Sequence, residues 1–131
     1  MRFLLDTTLL IDHAQGRAGA AEVLERLFSE PHELMVCDVV VTEALSKGPD
    51  EEMLVIGTLI RAVEYVATHP EAARWAGASR RRRRASGPRS LADAIIAGVA
   101  HDLGATIVTR NPRDFESQGV AVLAYGQPPA L

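Results

Sequence analysis

Short apolar segments that are typical of buried strands alternate with amphipathic helical segments along the whole chain. Strands are predicted over RFLL, ELMVC, VEYVA, ATIVT and VAVLAY. Between them, stretches such as AAEVLERLF space their apolar residues at helical intervals. Strands that alternate with helices are typical of α/β domains, in which helices cover both faces of a mostly parallel sheet. We therefore predict a three-layer α/β/α fold.

Helix boundaries follow from capping and breaking residues. Thr7 or Thr8 is predicted to cap a first helix that ends at Gly16. Asp38 is predicted to cap a helix over VVVTEALSK that ends at Gly48-Pro49, and HPEAARWAGASRRRRRA to form a later helix. The stretch RNPRDFES is rich in turn residues, so we expect a loop there.

Composition limits the class of protein. The chain has 131 residues, 47% of them hydrophobic, and we expect a single domain spanning 1–131. Its single cysteine, Cys37, excludes an intramolecular disulfide and a cysteine-based zinc site. No apolar run is long enough to span a bilayer, and the N-terminus lacks a basic leader followed by an apolar stretch. We expect a cytoplasmic protein that is not attached to a membrane.

Three acidic side chains, those of Asp6, Asp93 and Asp114, lie where strands end or helices begin. A fourth, Glu43, lies on the helix after the second strand. In parallel sheets the carboxyl ends of the strands share one edge, so these side chains are expected to converge there. Carboxylates gathered together repel one another, and a hard divalent cation such as Mg²⁺ or Mn²⁺ removes that repulsion.

Each acid taken alone also has a structural alternative. Ser90 and Asp93 have the spacing of a capping box, and Asp114 is placed to cap a turn around Asn111-Pro112. Asp6 is placed to bond the N–H groups of the helix that follows it, and Glu43 to face solvent. The joint placement of all four acids favours a common site.

Four stretches resemble the PIN-domain nucleases, and within them the VapC-type toxins of bacterial toxin–antitoxin pairs. They are LLDTTLLID, VVVTEAL, SLADAIIAGVAHDLGATIVTRNPRDF and VAVLAY, in the order of the family. The third is the most specific, because an Asp-led, Ala-rich helix precedes a buried strand and then Thr-x-Asn-x-x-Asp-Phe. The resemblance covers essentially the whole chain and implies a PIN-like fold.

The resemblance also implies an activity and a site. The activity is metal-dependent hydrolysis of RNA, with transfer or ribosomal RNA as substrate, by a homodimer that a cognate antitoxin neutralises. Asp6, Asp93 and Asp114 are then expected to hold Mg²⁺ or Mn²⁺, with Glu43 acting through water or on the nucleophile. Small polar residues that match those around the family's site are Thr7, Thr109 and Asn111.

Five consecutive arginines depart from the mildly acidic character of the rest of the chain. They are Arg80, Arg81, Arg82, Arg83 and Arg84. On a helix each residue turns about 100°, so the run faces all directions, and one interpretation is a solvated helix end. The run leads through Gly87-Pro88 to the helix of Asp93, and we therefore predict that it binds RNA phosphates.

Two other functional classes share part of this pattern. A receiver domain also gathers carboxylates at the end of a parallel sheet, but it needs a lysine late in the chain, and the only lysine is Lys47. The second alternative is a catalytically weak PIN-fold module that binds RNA or a protein partner. The presence of all four acids argues against lost catalysis, and a metal-dependent cleavage assay distinguishes the two.

Overall fold

The computed structural model describes residues 1–82 and 90–126. Its strands are β1 (Arg2–Leu5), β2 (Glu33–Cys37), β3 (Glu64–Val66), β4 (Thr106–Thr109) and β5 (Val122–Ala124). Its helices are α1 (Thr7–Gln15), α2 (Ala20–Ser29), α3 (Asp38–Ala44), α4 (Asp50–Arg61), α5 (Pro70–Arg82), α6 (Leu91–Leu103) and the single turn α7 (Arg113–Glu116). No helix in these two ranges has both the length and the apolar character needed to cross a membrane.

All five strands form one sheet in the order β3-β2-β1-β4-β5. Every neighbouring pair is parallel, so the predicted α/β fold with a mostly parallel sheet is confirmed, and the sheet is parallel throughout. The central strand β1 pairs Leu5 with Val108 of β4. The backbone N–H of Asp6 then donates to the carbonyl of Val108, at 3.0 Å. This register places Asp6 beside Thr109 at the carboxyl edge of the sheet.

The core lies between the sheet and the helices on its faces. Strands buried on both faces read as continuous apolar runs, and β1, β2 and β4 have that pattern. Helix α2 contributes one apolar face, whereas α6 is buried on every side over residues 96–100. Side chains that are completely buried include Leu4, Leu5, Val36, Ile107 and Val108 from strands and Leu9, Leu10, Val40 and Ile96 from helices.

Close packing of α5 on α6 depends on a glycine. A Cβ atom at Gly98 of α6 would lie 2.4 Å from the carbonyl oxygen of Ala72 in α5, far inside van der Waals contact. Any larger residue would force the helices apart. Helix α5 ends in Arg80–Arg82, and Asp93 lies in the first turn of α6. The packing of the two helices therefore brings a basic and an acidic segment together.

The predictions for three segments are wrong. The N-cap of α1 is Asp6 rather than Thr7 or Thr8, and its side chain makes no capping bond because it turns toward two threonine hydroxyls instead. Helix α3 has Cys37 rather than Asp38 as its N-cap, and it ends at Ala44, before Gly48-Pro49. A β-branched run weakens this helix, and the Ser46 hydroxyl bonds the Thr42 carbonyl in place of the backbone.

The third difference is α7, a helical turn within the predicted loop. Pro112 can precede a helical turn without losing a hydrogen bond, and buried Phe115 anchors that turn in the core. The remaining helices lie where the apolar periodicity predicts them. Helix α5 is described as far as Arg82, and Arg83 and Arg84 lie outside the described residues.

Candidate active site at the carboxyl edge of the sheet

Asp6 is a buried carboxylate, with 4% of its surface exposed, held by hydroxyl groups. Its Oδ2 atom accepts hydrogen bonds from Thr109 Oγ1 at 2.7 Å and from Thr8 Oγ1 at 3.0 Å. Burial raises the pKa of this carboxyl, the hydroxyl bonds oppose that rise, and the negative charge of Glu43 adds to it. The strand therefore ends on a carboxylate that threonine hydroxyls hold without a described cationic partner.

The small polar residues predicted around the site fall into two groups. Thr7 Oγ1 donates to Glu43 Oε1 at 2.7 Å, which fixes the glutamate across from Asp6. Thr109 Oγ1 holds Asp6 and also accepts the backbone N–H of Asn111 at 3.0 Å. Asn111 itself is exposed and is linked to the site through its main chain. Thr7 and Thr109 thus orient two different carboxylates.

Asp93 is influenced by the charges of the other three predicted acids. It lies half-buried in the first turn of α6, and Ser90 Oγ accepts its backbone N–H at 3.2 Å. Burial, followed by the charges of Asp114, Asp6 and Glu43, raises the pKa of its carboxyl from 3.8 to about 6. The structure therefore brings all four acids to one edge of the sheet, as the topology predicts.

The donor set suits a hard divalent cation in its chemistry and charge. Among the described residues, the charges of Asp114, Asp6 and Glu43 act on Asp93, whereas the ion pairs between described residues involve Asp12, Glu30, Glu33 and Glu71. Within 1–82 and 90–126, however, no three His, Cys, Asp or Glu side chains are already arranged as a metal site. The four acids influence one another electrostatically, but their side chains are not already arranged as metal ligands.

Part of the arginine run lies at this edge. The side chain of Arg80 is half-buried, and those of Arg81 and Arg82 are exposed. The preceding residue, Ser79, is fully buried and donates its hydroxyl to Gln118 Oε1 at 2.9 Å. Gln118 in turn bonds the main chain of Asp93 and Asp114, so the basic end of α5 lies against the elements that carry two of the acids.

Sequence reasoning missed a buried ion-pair network behind the acids. Asp12 is completely buried, and its carboxylate accepts the Tyr125 hydroxyl at 2.8 Å. Arg110 Nε lies 3.0 Å and Arg17 Nε 3.4 Å from the same carboxylate. The backbone N–H of Arg110 also donates to Thr8 Oγ1, at 3.3 Å. The network therefore connects α1, the end of β4 and the residue after β5 to the hydroxyls on Asp6.

Thr8 and Gln118 were also missed as contributors to the site. Thr8 follows Thr7 in the sequence, and a second hydroxyl beside a buried carboxylate was a usable signal. Gln118 had no such signal, since an isolated glutamine after a turn is ordinary. Its contacts depend on α5, α6 and α7 meeting, which only the tertiary structure reveals.

Comparison with known proteins gives a consistent result. The PIN domain family matches residues 3–119. Ribonuclease VapC19 of Mycobacterium tuberculosis is 31% identical over 114 residues, which cover 86% of this chain and 90% of that protein. Among solved structures, VapBC2 from Rickettsia felis, bound to a promoter DNA fragment, has a TM-score of 0.81 at 17% identity, covering 95% of this chain and 99% of that one. A toxin–antitoxin complex from Klebsiella pneumoniae has a TM-score of 0.69 at 25% identity, covering 86% and 88%.

Proposed function

This chain belongs to the PIN-domain family and is related to the VapC ribonucleases, and we propose that it is the toxin of a toxin–antitoxin pair. In this proposal it hydrolyses RNA phosphodiester bonds in the cytoplasm, using Mg²⁺ or Mn²⁺, and a cognate antitoxin inhibits it. PIN-domain ribonucleases generally use divalent metal ions. The substrate class proposed is transfer or ribosomal RNA.

The observation that carries this proposal is the electrostatic state of Asp93. Burial, together with the charges of Asp114, Asp6 and Glu43, raises its pKa to about 6, which is costly for the folded protein at neutral pH. Such a cost is typical of functional sites rather than of structural ion pairs. A catalytically weak RNA- or partner-binding module would have no use for that concentration of negative charge.

Each acid has a proposed task. Asp6, Asp93 and Asp114 would hold the cation, which when bound makes a water molecule more acidic and neutralises charge on the phosphate. Glu43, whose Oε1 accepts the Thr7 hydroxyl, would accept a proton or direct water. Thr8 and Thr109 both bond Oδ2 of Asp6 and so fix the orientation of that carboxylate.

The arginine run is proposed to offset the repulsion between RNA and the acids. Arg81 and Arg82 are exposed at the end of α5, close to the element carrying Asp93. Cationic side chains at such a place attract phosphates of any sequence. Arg80, Arg83 and Arg84 are assigned to the same surface on the sequence pattern alone.

Cleavage by substituted proteins tests the proposal. Asp6→Asn and Asp93→Asn each remove one carboxylate charge, and we expect Mn²⁺-dependent RNA cleavage to fall below about one hundredth of the wild-type rate. Asp102→Asn, the same change at an exposed acid on α6, is the matched control. Circular dichroism checks that each variant is folded. Full activity in the double variant Asp6→Asn/Asp93→Asn would refute the metal-nuclease proposal.

Partners are proposed from exposed apolar residues on the helices. Phe28 on α2 is 48% exposed, and Leu54 and Val55 on α4 are 72% and 38% exposed. Apolar helix faces of this kind are bound by helical segments of a partner. We assign them to an antitoxin, whose basic side chain would reach the acids, and we propose that the toxin itself is a homodimer.

A further inference from the structure

Gln118 is a buried side chain that bonds three separate elements of the structure. It lies just after α7 and has only 6% of its surface exposed. Its amide nitrogen donates to the carbonyl of Asp114 in α7 at 2.8 Å and to the carbonyl of Asp93 in α6 at 3.4 Å. Its amide oxygen accepts the Ser79 hydroxyl of α5 at 2.9 Å.

These partners fix the orientation of the amide group. Two carbonyl oxygens can be satisfied only by the NH₂ group, which has two hydrogens to donate. The reverse orientation would place the amide oxygen against both carbonyls, and it would leave the NH₂ group facing the Ser79 hydroxyl. Gln118 therefore uses both donors and its acceptor, which is the arrangement expected of a buried amide.

The two acids that Gln118 connects carry like charges, so their carboxylates repel each other. Asp114 lies on α7, a single turn of four residues in which the Glu116 N–H donates to the Pro112 carbonyl at 2.8 Å. Phe115 anchors this turn from its buried side. Gln118 joins it directly to the first turn of α6.

We propose that Gln118 is a positioning residue that sets the separation of Asp93 and Asp114, and thereby the affinity of the acidic site for a divalent cation. The inference rests on the proposed function, because it takes these acids as cation ligands. It also accounts for acids that share one field without being preassembled at ligand distances. Because Gln118 already links the backbones of Asp93 and Asp114, a cation would need to move only their two carboxylate groups.

Manganese binding to the purified, metal-free protein tests this role. Gln118→Met keeps the length of the side chain and removes all three hydrogen bonds. We expect its affinity for Mn²⁺, measured by isothermal titration calorimetry, to fall about tenfold, the effect typical of residues that orient metal ligands. Turnover at limiting Mn²⁺ should fall with it and recover when Mn²⁺ is raised. A residue that merely supported the fold would not give that recovery.

A control and a second variant complete the test. Gln15→Met makes the same change at an exposed position at the end of α1 and should leave Mn²⁺ affinity unchanged. If Gln118→Met does not fold, Gln118→Leu removes the same three hydrogen bonds with a smaller apolar side chain and no change of charge. Unchanged Mn²⁺ affinity in a folded Gln118 variant would overturn this inference and leave the proposed function standing. Absence of Mn²⁺ binding by the wild-type protein would overturn the proposed function, and this inference with it.

Discussion

The surroundings of Asp6 show how a carboxylate can be buried and still remain available. Threonine hydroxyls satisfy one of its oxygens, Oδ2, without neutralising its charge. Asp12, six residues later, is buried in the opposite way, beside two arginines and a tyrosine hydroxyl. One helical segment thus carries a structural acid with its charge balanced and a candidate ligand whose charge is left to attract a cation.

Asp93 gives the protein a specific dependence of stability on pH. In the folded protein its carboxyl keeps its proton up to a pH of about 6, whereas the unfolded chain releases it near 3.8. Between these values the folded state binds more protons, so the free energy of unfolding decreases as pH rises. The destabilisation of the folded protein by Asp93 is fully present above about pH 6 and absent below about pH 3.8.

Asp93→Asn should remove this penalty. We expect the variant, in EDTA, to be more stable than wild type by about 1 kcal/mol at neutral pH, a value reduced for the partial exposure of the side chain. Near pH 4 the difference should vanish, because wild-type Asp93 is then protonated. Urea denaturation at the two pH values measures both. A variant equally or less stable than wild type at neutral pH would contradict this account of the acids.

At the scale of elements, the end of α5 is a basic segment packed beside acidic ones. Arg81→Gln/Arg82→Gln should weaken RNA binding regardless of sequence and reduce the dependence of log Kd on log salt concentration by about one to two. Cleavage at saturating RNA should change much less, since no acid is altered. Fluorescence anisotropy over a range of salt concentrations measures the effect.

A charge-matched control is available at the amino ends of the strands, opposite the acids. Arg2 begins β1 and Arg26 lies in a cleft with the first residues of β1, β4 and β5. Arg2→Gln/Arg26→Gln removes the same total charge far from the acids and should affect RNA binding little. Equal losses in both double variants would assign the attraction to net charge rather than to α5.

The Asp12 network fastens helix α1 to the ends of β4 and β5. Asp12→Ala would leave the buried Tyr125 hydroxyl without its acceptor and remove the buried charge that pairs with Arg110, so we expect a loss of about 3–5 kcal/mol in the free energy of unfolding. Glu71→Ala breaks an exposed pair with Arg74 and should cost under about 1 kcal/mol. Urea denaturation compares the two, and similar small losses would show that the network contributes little.

Elements and site differ in how far the sequence predicts them. The strands and long helices follow from apolar periodicity, and the convergence of Asp6 and Asp93 follows from parallel topology. The end of α3 and the turn α7 do not, because a side-chain bond from Ser46 and the burial of Phe115 decide them. Gln118 and Asp12 are likewise defined by contacts between residues 25 to 113 positions apart.

At the scale of the whole molecule, charge is separated rather than balanced. The net charge is −3, while acids converge at the carboxyl edge of the sheet and arginines stand at its border. An inhibitor that occupies the acidic edge must carry positive charge there. The exposed apolar residues of α2 and α4 supply contact area for the rest of such a partner.

Inhibition by an antitoxin should therefore compete with the metal. We expect the wild-type protein to sediment as a dimer and to bind the product of the neighbouring antitoxin gene, with an affinity that falls as Mn²⁺ is raised.

Leu54→Asp, on the exposed face of α4, should weaken that binding at least about tenfold while leaving RNA cleavage intact. Glu51→Asp, an exposed change on the same helix, is the control. Analytical ultracentrifugation and calorimetry provide the measurements. A monomer that ignores the neighbouring gene product would defeat the assignment of partners, and binding indifferent to Mn²⁺ would place the antitoxin away from the acids.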